Sequence, residues 1–269
     1  MTEILDKVRD HYDARELTDR LRAAFAPEDQ PLSVDQLSAL DQFHTRGLAG
    51  TSELASLAGI DETMSVLDVG SGIGGPARYL AATRGCRVTG IDLSAPFVDA
   101  SLYLTERTGQ TESVSFAVGS ALDLPFEDAA FDVVLLQHVA MNIADRAGLY
   151  RELRRVLRPA GRLAISDIVL NLGDPLYPLP WARTPETSFL LTAGETEQAI
   201  EQAGFRARDI RNDSEAAKMW SLQLRDAGPP SGPNLGLVMG PGFRDLAVNL
   251  GRNFLEDRLG LFVAVFEAA

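Results

Sequence analysis

The sequence predicts an α/β protein built on a doubly wound parallel sheet, and three observations carry that reading. From about Ser65 onward, short apolar runs alternate with helical patterns. The first of these alternations is joined by a glycine run, Leu67-Asp-Val-Gly-Ser-Gly-Ile-Gly-Gly75. About twenty residues later a second apolar run ends on an acid, Val-Thr-Gly-Ile-Asp92, a spacing suited to a ribose-binding carboxylate beside a glycine loop.

Residues 66–69 read as a short buried strand. Gly70, Gly72 and Gly74 then let the backbone turn with positive φ and approach a ligand closely, because no Cβ stands in the way. A helix over about 76–84 follows, with Pro76 in the first turn, where a missing N–H costs least. The N–H groups of that turn face the loop and favour an anionic ligand group. The second strand spans 87–91 and presents Asp92. Further strands are expected at 114–118, 132–135 and 161–169, with helices near 95–108, 145–157 and 196–203. Pro159 and Gly161 mark the turn before the fifth strand. Residues 205–211 read as a sixth strand, and 258–267 as a last one apolar on both faces. Between them lie a loop around Gly228–Pro233 and a helix near 242–255. Residues 1–62 read as several helices and 171–192 as a Pro-rich stretch. Both are expected over the carboxyl ends of the strands, as a cap that keeps water from the reaction.

A chain of 269 residues with 45% hydrophobic content can bury a substantial core, which fits one domain with a cap. The formal net charge of -13 argues against a nucleic-acid partner. The dense basic run 151–158 is interleaved with Leu153, Val156 and Leu157 and reads as a solvated helix face. Cys86 is the only cysteine, which excludes an intrachain disulfide. His11, His44 and His138 lack metal-ligand spacing, so no metal is expected. A charged amino-terminal stretch and the lack of a long apolar run lead to the expectation of a soluble, cytoplasmic protein with no membrane partner.

The glycine spacing admits two ligands, since Gly70, Gly72 and Gly75 also satisfy the dinucleotide pattern G-x-G-x-x-G. Asp68 favours one of them. An acid two residues before the first glycine suits a ligand with a cationic amino group, such as the methionine part of S-adenosylmethionine. A dinucleotide presents a pyrophosphate there, which a nearby carboxylate repels. The other reading of Asp68 is a carboxylate that caps the loop's own N–H groups.

Five blocks in order, LDVGSGIGG at 67–75, GIDLS at 90–94, LPFEDAAFDVV at 124–134, QHVAMNI at 137–143 and ELRRVLRPAGRLAISD at 152–167, make the chain resemble the class I S-adenosylmethionine-dependent methyltransferases over nearly its whole length. Within them it looks most similar to the small-molecule group of ubiquinone/menaquinone-type, sarcosine/dimethylglycine and phosphoethanolamine methyltransferases. The resemblance implies a Rossmann-like seven-stranded sheet with an antiparallel last strand and a helical N-terminal cap over 1–62. The methyltransferase domain would then occupy 63–269, with a cap insertion at about 171–192. It implies methyl transfer from S-adenosylmethionine to a small-molecule N, O or C nucleophile. An oxidoreductase using NAD on the same loop, and a non-catalytic binder of S-adenosylmethionine, are the other readings.

Carried over residue by residue, the resemblance places Asp68, Gly70, Ser71 and Gly72 around the methionine part, Asp92 on the ribose and Leu93 against the adenine. Ser120 and Ala121 stand where the family has an acid and a small residue at the adenine edge. A serine hydroxyl serves there less strongly than a carboxylate, and Ser120 also fits an ordinary strand-end turn. Gln137 and His138 would approach the cofactor at the end of the fourth strand. With an unperturbed pKa near neutrality, His138 is the candidate general base, or else a histidine satisfied by a backbone neighbour. Tyr12, Gln42 and His44 would touch the cofactor from the cap, or merely pack its helices. Trp181 is a candidate for facing a cationic amine and Arg183 for gripping a carboxylate or phosphate, the alternatives being a core anchor and a partner for Glu186.

Overall fold

In the computed structural model, which describes residues 16–227, 232–240 and 242–269, the apolar runs form one seven-stranded sheet. The strands are β1 (Ser65–Val69), β2 (Arg87–Asp92), β3 (Val114–Val118), β4 (Phe131–Gln137), β5 (Leu157–Leu170), β6 (Phe205–Asn212) and β7 (Leu259–Ala268). Their order is β3-β2-β1-β4-β5-β7-β6. Strands β1 to β5 are mutually parallel, and β7 runs antiparallel between β5 and β6. The chain reverses direction across the sheet between β1 and β4, and a crevice opens at the carboxyl ends of the strands there, where open α/β sheets bind ligands. Strand β7 is buried along nearly its whole length, as expected of a strand apolar on both faces.

Helices α4 (Gly75–Arg84) and α5 (Ala95–Arg107) follow β1 and β2, and α6 (Arg146–Val156) and α7 (Ala193–Gln202) flank β5. Local chemistry sets their starts. The Asp145 side chain accepts from the Gly148 N–H at the head of α6. Thr192 and Glu195 close a reciprocal capping box at α7. The turn expected at Pro159 and Gly161 lies inside β5, which begins at once after α6. Ala160 takes a positive φ of 59° there, and the register with β4 shifts between Phe131 and Val133, so the kink interrupts the strand without ending it.

Ahead of the sheet come α1 (Leu17–Ala24), α2 (Val34–Asp41) and α3 (Gly47–Leu57). Leu17, Leu21, Leu37 and Leu40 pack with Phe97, Ala100 and Leu104 of α5 in a separate apolar cluster. The Pro-rich stretch after β5 is moored by two side-chain amides: Asn253 donates to the Leu176 carbonyl at 3.0 Å and Asn249 to that of Pro178 at 3.1 Å. Those asparagines belong to α10 (Phe243–Leu255). It packs with α8 (Ser214–Asp226) and the short α9 (Leu235–Met239). Helix α8 is absent from the sequence expectations. Its signals, an aspartate before Ser214, an acidic first turn and apolar residues at helical spacing, are overshadowed by the Gly- and Pro-rich loop that follows it.

Candidate active site

The glycine loop is shaped by the end of β2. Gly70 and Ser71 donate to the Ile91 carbonyl at 2.8 and 3.1 Å, and Gly74 donates to that of Ser71 at 2.8 Å. Gly72 donates to Asp92 Oδ2 at 2.8 Å, and Ser94 to Asp92 Oδ1 at 2.9 Å. Asp92 thus holds the loop in place while its carboxylate, with about four lone-pair sites, keeps acceptor capacity for a ligand. Gly70 has φ 71°, and a Cβ there would strike Val139. Only glycine fits, so bare backbone faces the crevice.

A cavity of about 980 Å³ opens above the loop. It gathers His44, Gly70, Gly72, Asp92, Leu93, Ser120, Ala121, Gln137, His138 and Trp181 along its walls, together with Phe43 and Thr45 from the segment between α2 and α3. Gln42, Asp68 and Ser71 are buried and stand behind those walls. Arg183 is exposed and does not reach the cavity. Tyr12 lies outside the described residues.

Burial dominates the electrostatics. The Asp68 carboxyl is pushed up to about 7 by burial and by the neighbouring Asp92 charge, with Arg78 pulling the other way. Its Oδ2 has no hydrogen-bond partner. The loop amides bond to Ile91, Ser71 and Asp92, so the capping reading of Asp68 loses its acceptor role. Burial also raises Asp92, to about 6, against the backbone N–H groups of Ser94 and Gly72. Asp92 at the cavity wall and Asp68 behind it are thus two neighbouring carboxyls that burial destabilises as anions.

His44 and His138, far apart in sequence, bring their rings to 6.0 Å, edge to face. Both are held neutral. Burial lowers His44 to about 4, and burial with the nearby His44 holds His138 well below its ordinary value. His138 Nε2 accepts the Thr45 backbone N–H at 3.4 Å. The expectation of a base titrating near neutrality therefore needs correction: the ring is a weak base, and one lone pair is already engaged by the backbone. Its φ of 55° is in the left-handed region, a strained position just past the end of β4, where the residue lines the cavity.

The Ser120 hydroxyl accepts the Leu122 N–H at 3.2 Å, as a turn residue does, while still lining the cavity. Trp181 is buried and its indole N–H donates to Ser188 Oγ at 3.0 Å, so it anchors the Pro-rich segment and offers the cavity a ring.

Several residues went unread in the sequence. Thr51 bonds both Gln42 Oε1, at 3.0 Å, and His44 Nε2, at 2.9 Å. Arg78 is fully buried; it donates to Asp41 Oδ2 at 2.9 Å and to the Ile73 carbonyl at 2.7 Å, tying α2 to the glycine loop. An arginine inside a predicted helix next to Ala77 and Leu80 is its only sequence signal. Trp220, Leu224 and Phe243 line the far end of the cavity.

The residues fit S-adenosylmethionine. A bare loop, the Asp92 carboxylate and the buried, unpartnered Gln137 Nε2 and Thr45 Oγ1 are groups that would suit its adenosine and methionine parts. The methyltransferase-domain family model matches residues 67–165. The O-methyltransferase resE of Aspergillus sclerotiorum is 32% identical over 191 residues, covering 69% of this chain and 70% of its own. The chain belongs to the class I S-adenosylmethionine-dependent methyltransferases. Its cofactor is accordingly S-adenosylmethionine. This methyltransferase is also 35% identical over 171 residues to the methyltransferase GfsG of Streptomyces halstedii, covering 61% of this chain; it spans 59% of that relative's length. Its fold is that of a geranyl diphosphate C-methyltransferase from Streptomyces coelicolor A3(2), with a TM-score of 0.71 at 15% identity over 99% of this chain and 98% of the other. Among the described residues no helix is long and apolar enough to cross a membrane.

Proposed function

We propose that this methyltransferase transfers the methyl group of S-adenosylmethionine to a small-molecule acceptor that enters the cavity from the side of α8 and α10. One observation carries the reading: the glycine loop, Asp92, Leu93, Ser120, Ala121 and Gln137 converge on one end of a cavity whose other end is walled by separate helices. The bound cofactor supplies an activated sulfonium methyl. Gly70, Gly72, Asp92, Leu93 and Gln137 would hold it, with Asp68 and Ser71 supporting from behind the loop. Phe43, His44 and Thr45 close the cap over it and exclude water, which strengthens every electrostatic contact inside. His138 acts as a neutral hydrogen-bonding group that orients the acceptor atom. Alignment supplies most of the acceleration in such a displacement, so the nucleophile is delivered by geometry. Trp181 backs the acceptor; Arg183, exposed outside the cavity, is assigned no part in gripping an anion.

The experiment is a calorimetric titration with S-adenosylhomocysteine against the wild type and Asp92→Ala, with NADH alongside. Stoichiometric binding weakened in the variant by about 1–3 kcal/mol, the range for a hydrogen bond to a charged group, supports the reading. Binding of NADH alone would end it. Tight binding with no labelled product from any acceptor pool would favour a non-catalytic binder.

A further inference from the structure

We infer that the acceptor is a bulky, predominantly apolar molecule without a cationic group, seated in an arm of the cavity formed by α8, α9 and α10. This inference rests on the proposed methyl transfer and names its substrate class.

The cavity, at about 980 Å³, lies at the top of the roughly 300–1,000 Å³ range of small-molecule sites, and the cofactor residues occupy only its inner end. The remaining wall is mostly apolar, with Trp181, Trp220, Leu224, Leu235, Phe243 and Val248, and carries Ser221, Asn234 and three arginines among them. Such a wall recognises apolar surface, since it offers contact and desolvation but few hydrogen bonds. Leu224, Val248 and Leu255 are 51%, 62% and 41% exposed and line the same cavity. Large apolar side chains left in water along one pocket mark a surface that a ligand covers.

The charges present do not suit a cationic acceptor. Asp145 Oδ1 is committed to the Gly148 N–H at 2.8 Å. At the rim, Arg225 pairs with Asp226 and Arg252 with Glu256, at 2.9 and 2.6 Å, and Arg244 is exposed. The described lining carboxylates are Asp92, assigned here to the cofactor, and Asp145. An ammonium would meet the like charge of Arg225, Arg244 and Arg252 along the arm, and an uncompensated buried charge is costly. Small zwitterions such as amino acids, and phosphobases, therefore do not match this wall.

The test uses the full chain loaded with S-adenosylhomocysteine and the neutral fluorophore N-phenyl-1-naphthylamine. Saturable one-to-one fluorescence enhancement is expected. Ala247→Trp, which fills the arm, and Val248→Asp, which places a charge at its exposed mouth without disturbing the core, should each weaken the probe by about tenfold or more. S-adenosylhomocysteine affinity should stay within about twofold of the wild type in both. Methyl label from the cofactor should appear in apolar extract fractions and not with glycine or phosphoethanolamine. Probe binding unchanged in both variants, or turnover of glycine or phosphoethanolamine, overturns the inference while leaving methyl transfer intact. Failure of S-adenosylhomocysteine to bind removes the cofactor reading itself, and the acceptor assignment with it.

Discussion

Asp68→Asn changes one atom of a buried side chain and removes a charge that the free protein holds at a cost. The carboxyl lies at about 7 in the fold against an ordinary 3.8, a rise of about three pH units. At 1.36 kcal/mol per unit this is about 4 kcal/mol at the most. The sign follows from proton counting. Between about pH 4 and 7 the folded state binds the proton that the unfolded state has released, so stability falls as pH rises through that window and is flat above it. The Asp68→Asn variant lacks this loss. It should be more stable than the wild type at pH 8, by up to about 4 kcal/mol less what its own unpartnered amide costs, and the difference should vanish near pH 4. A cation bound at the loop has the opposite effect, because it stabilises ionised Asp68. Wild-type affinity for S-adenosylhomocysteine, whose amino group is protonated, should rise from pH 5 to about 7 and then level, and the variant should lose that rise. Urea unfolding at pH 5, 6.5 and 8, with calorimetry at the same values, reads both quantities. A variant with no gain at pH 8 and an unaltered pH profile for binding would show that Asp68 is neither strained nor cation-seeking.

Three further outcomes follow from named contacts. Gly70→Ala places a Cβ against Val139 at a φ of 71° and should cost about 1–3 kcal/mol together with most cofactor affinity; Gly72→Ala, whose Cβ would meet Phe43 at 3.3 Å, should be milder, as thermal melts with and without S-adenosylhomocysteine would show. Arg78→Met leaves Asp41 buried and unpaired and should destabilise by about 3–5 kcal/mol. Adding Asp41→Leu should recover most of that stability while cofactor affinity stays low, because α2 is no longer tied to the loop; equal affinity in the double variant would show the pair to be structural alone. His44 and His138 should remain neutral in proton NMR from pH 8 down to 5.5. For His44, lowered to about 4, the linked stability is complete above pH 6.5 and is lost as pH falls toward 4. A histidine ring titrating near 6.5 in either position would contradict this.

The sheet was legible from the chain alone because each strand is a short apolar run and most crossovers are punctuated by glycine or proline. The succession of strands and the positions of Gly70 and Asp92 follow from local spacing that the parallel α/β architecture leaves little freedom to vary. The antiparallel β7 was implied by the family's motifs and by a last run apolar on both faces. The residues at the glycine-loop end of the cavity were legible because they sit at strand termini, where sequence position and spatial position coincide. Other features depended on contacts between residues far apart in the chain. The pairing of Asp41 with Arg78, and of His44 with His138, required helices that pack from outside the sheet. The neutral state of His138 came from burial, which no single residue encodes. The exposure of Arg183 and the apolar wall built by α8 and α10 were likewise set by packing, since a side chain's direction on an irregular segment depends on what that segment docks against. Composition and motif thus determined the fold and the glycine loop; tertiary packing decided the burial of the titratable groups, the attachment of the amino-terminal helices and the shape of the cavity, because each of these is a property of desolvation and distance between segments.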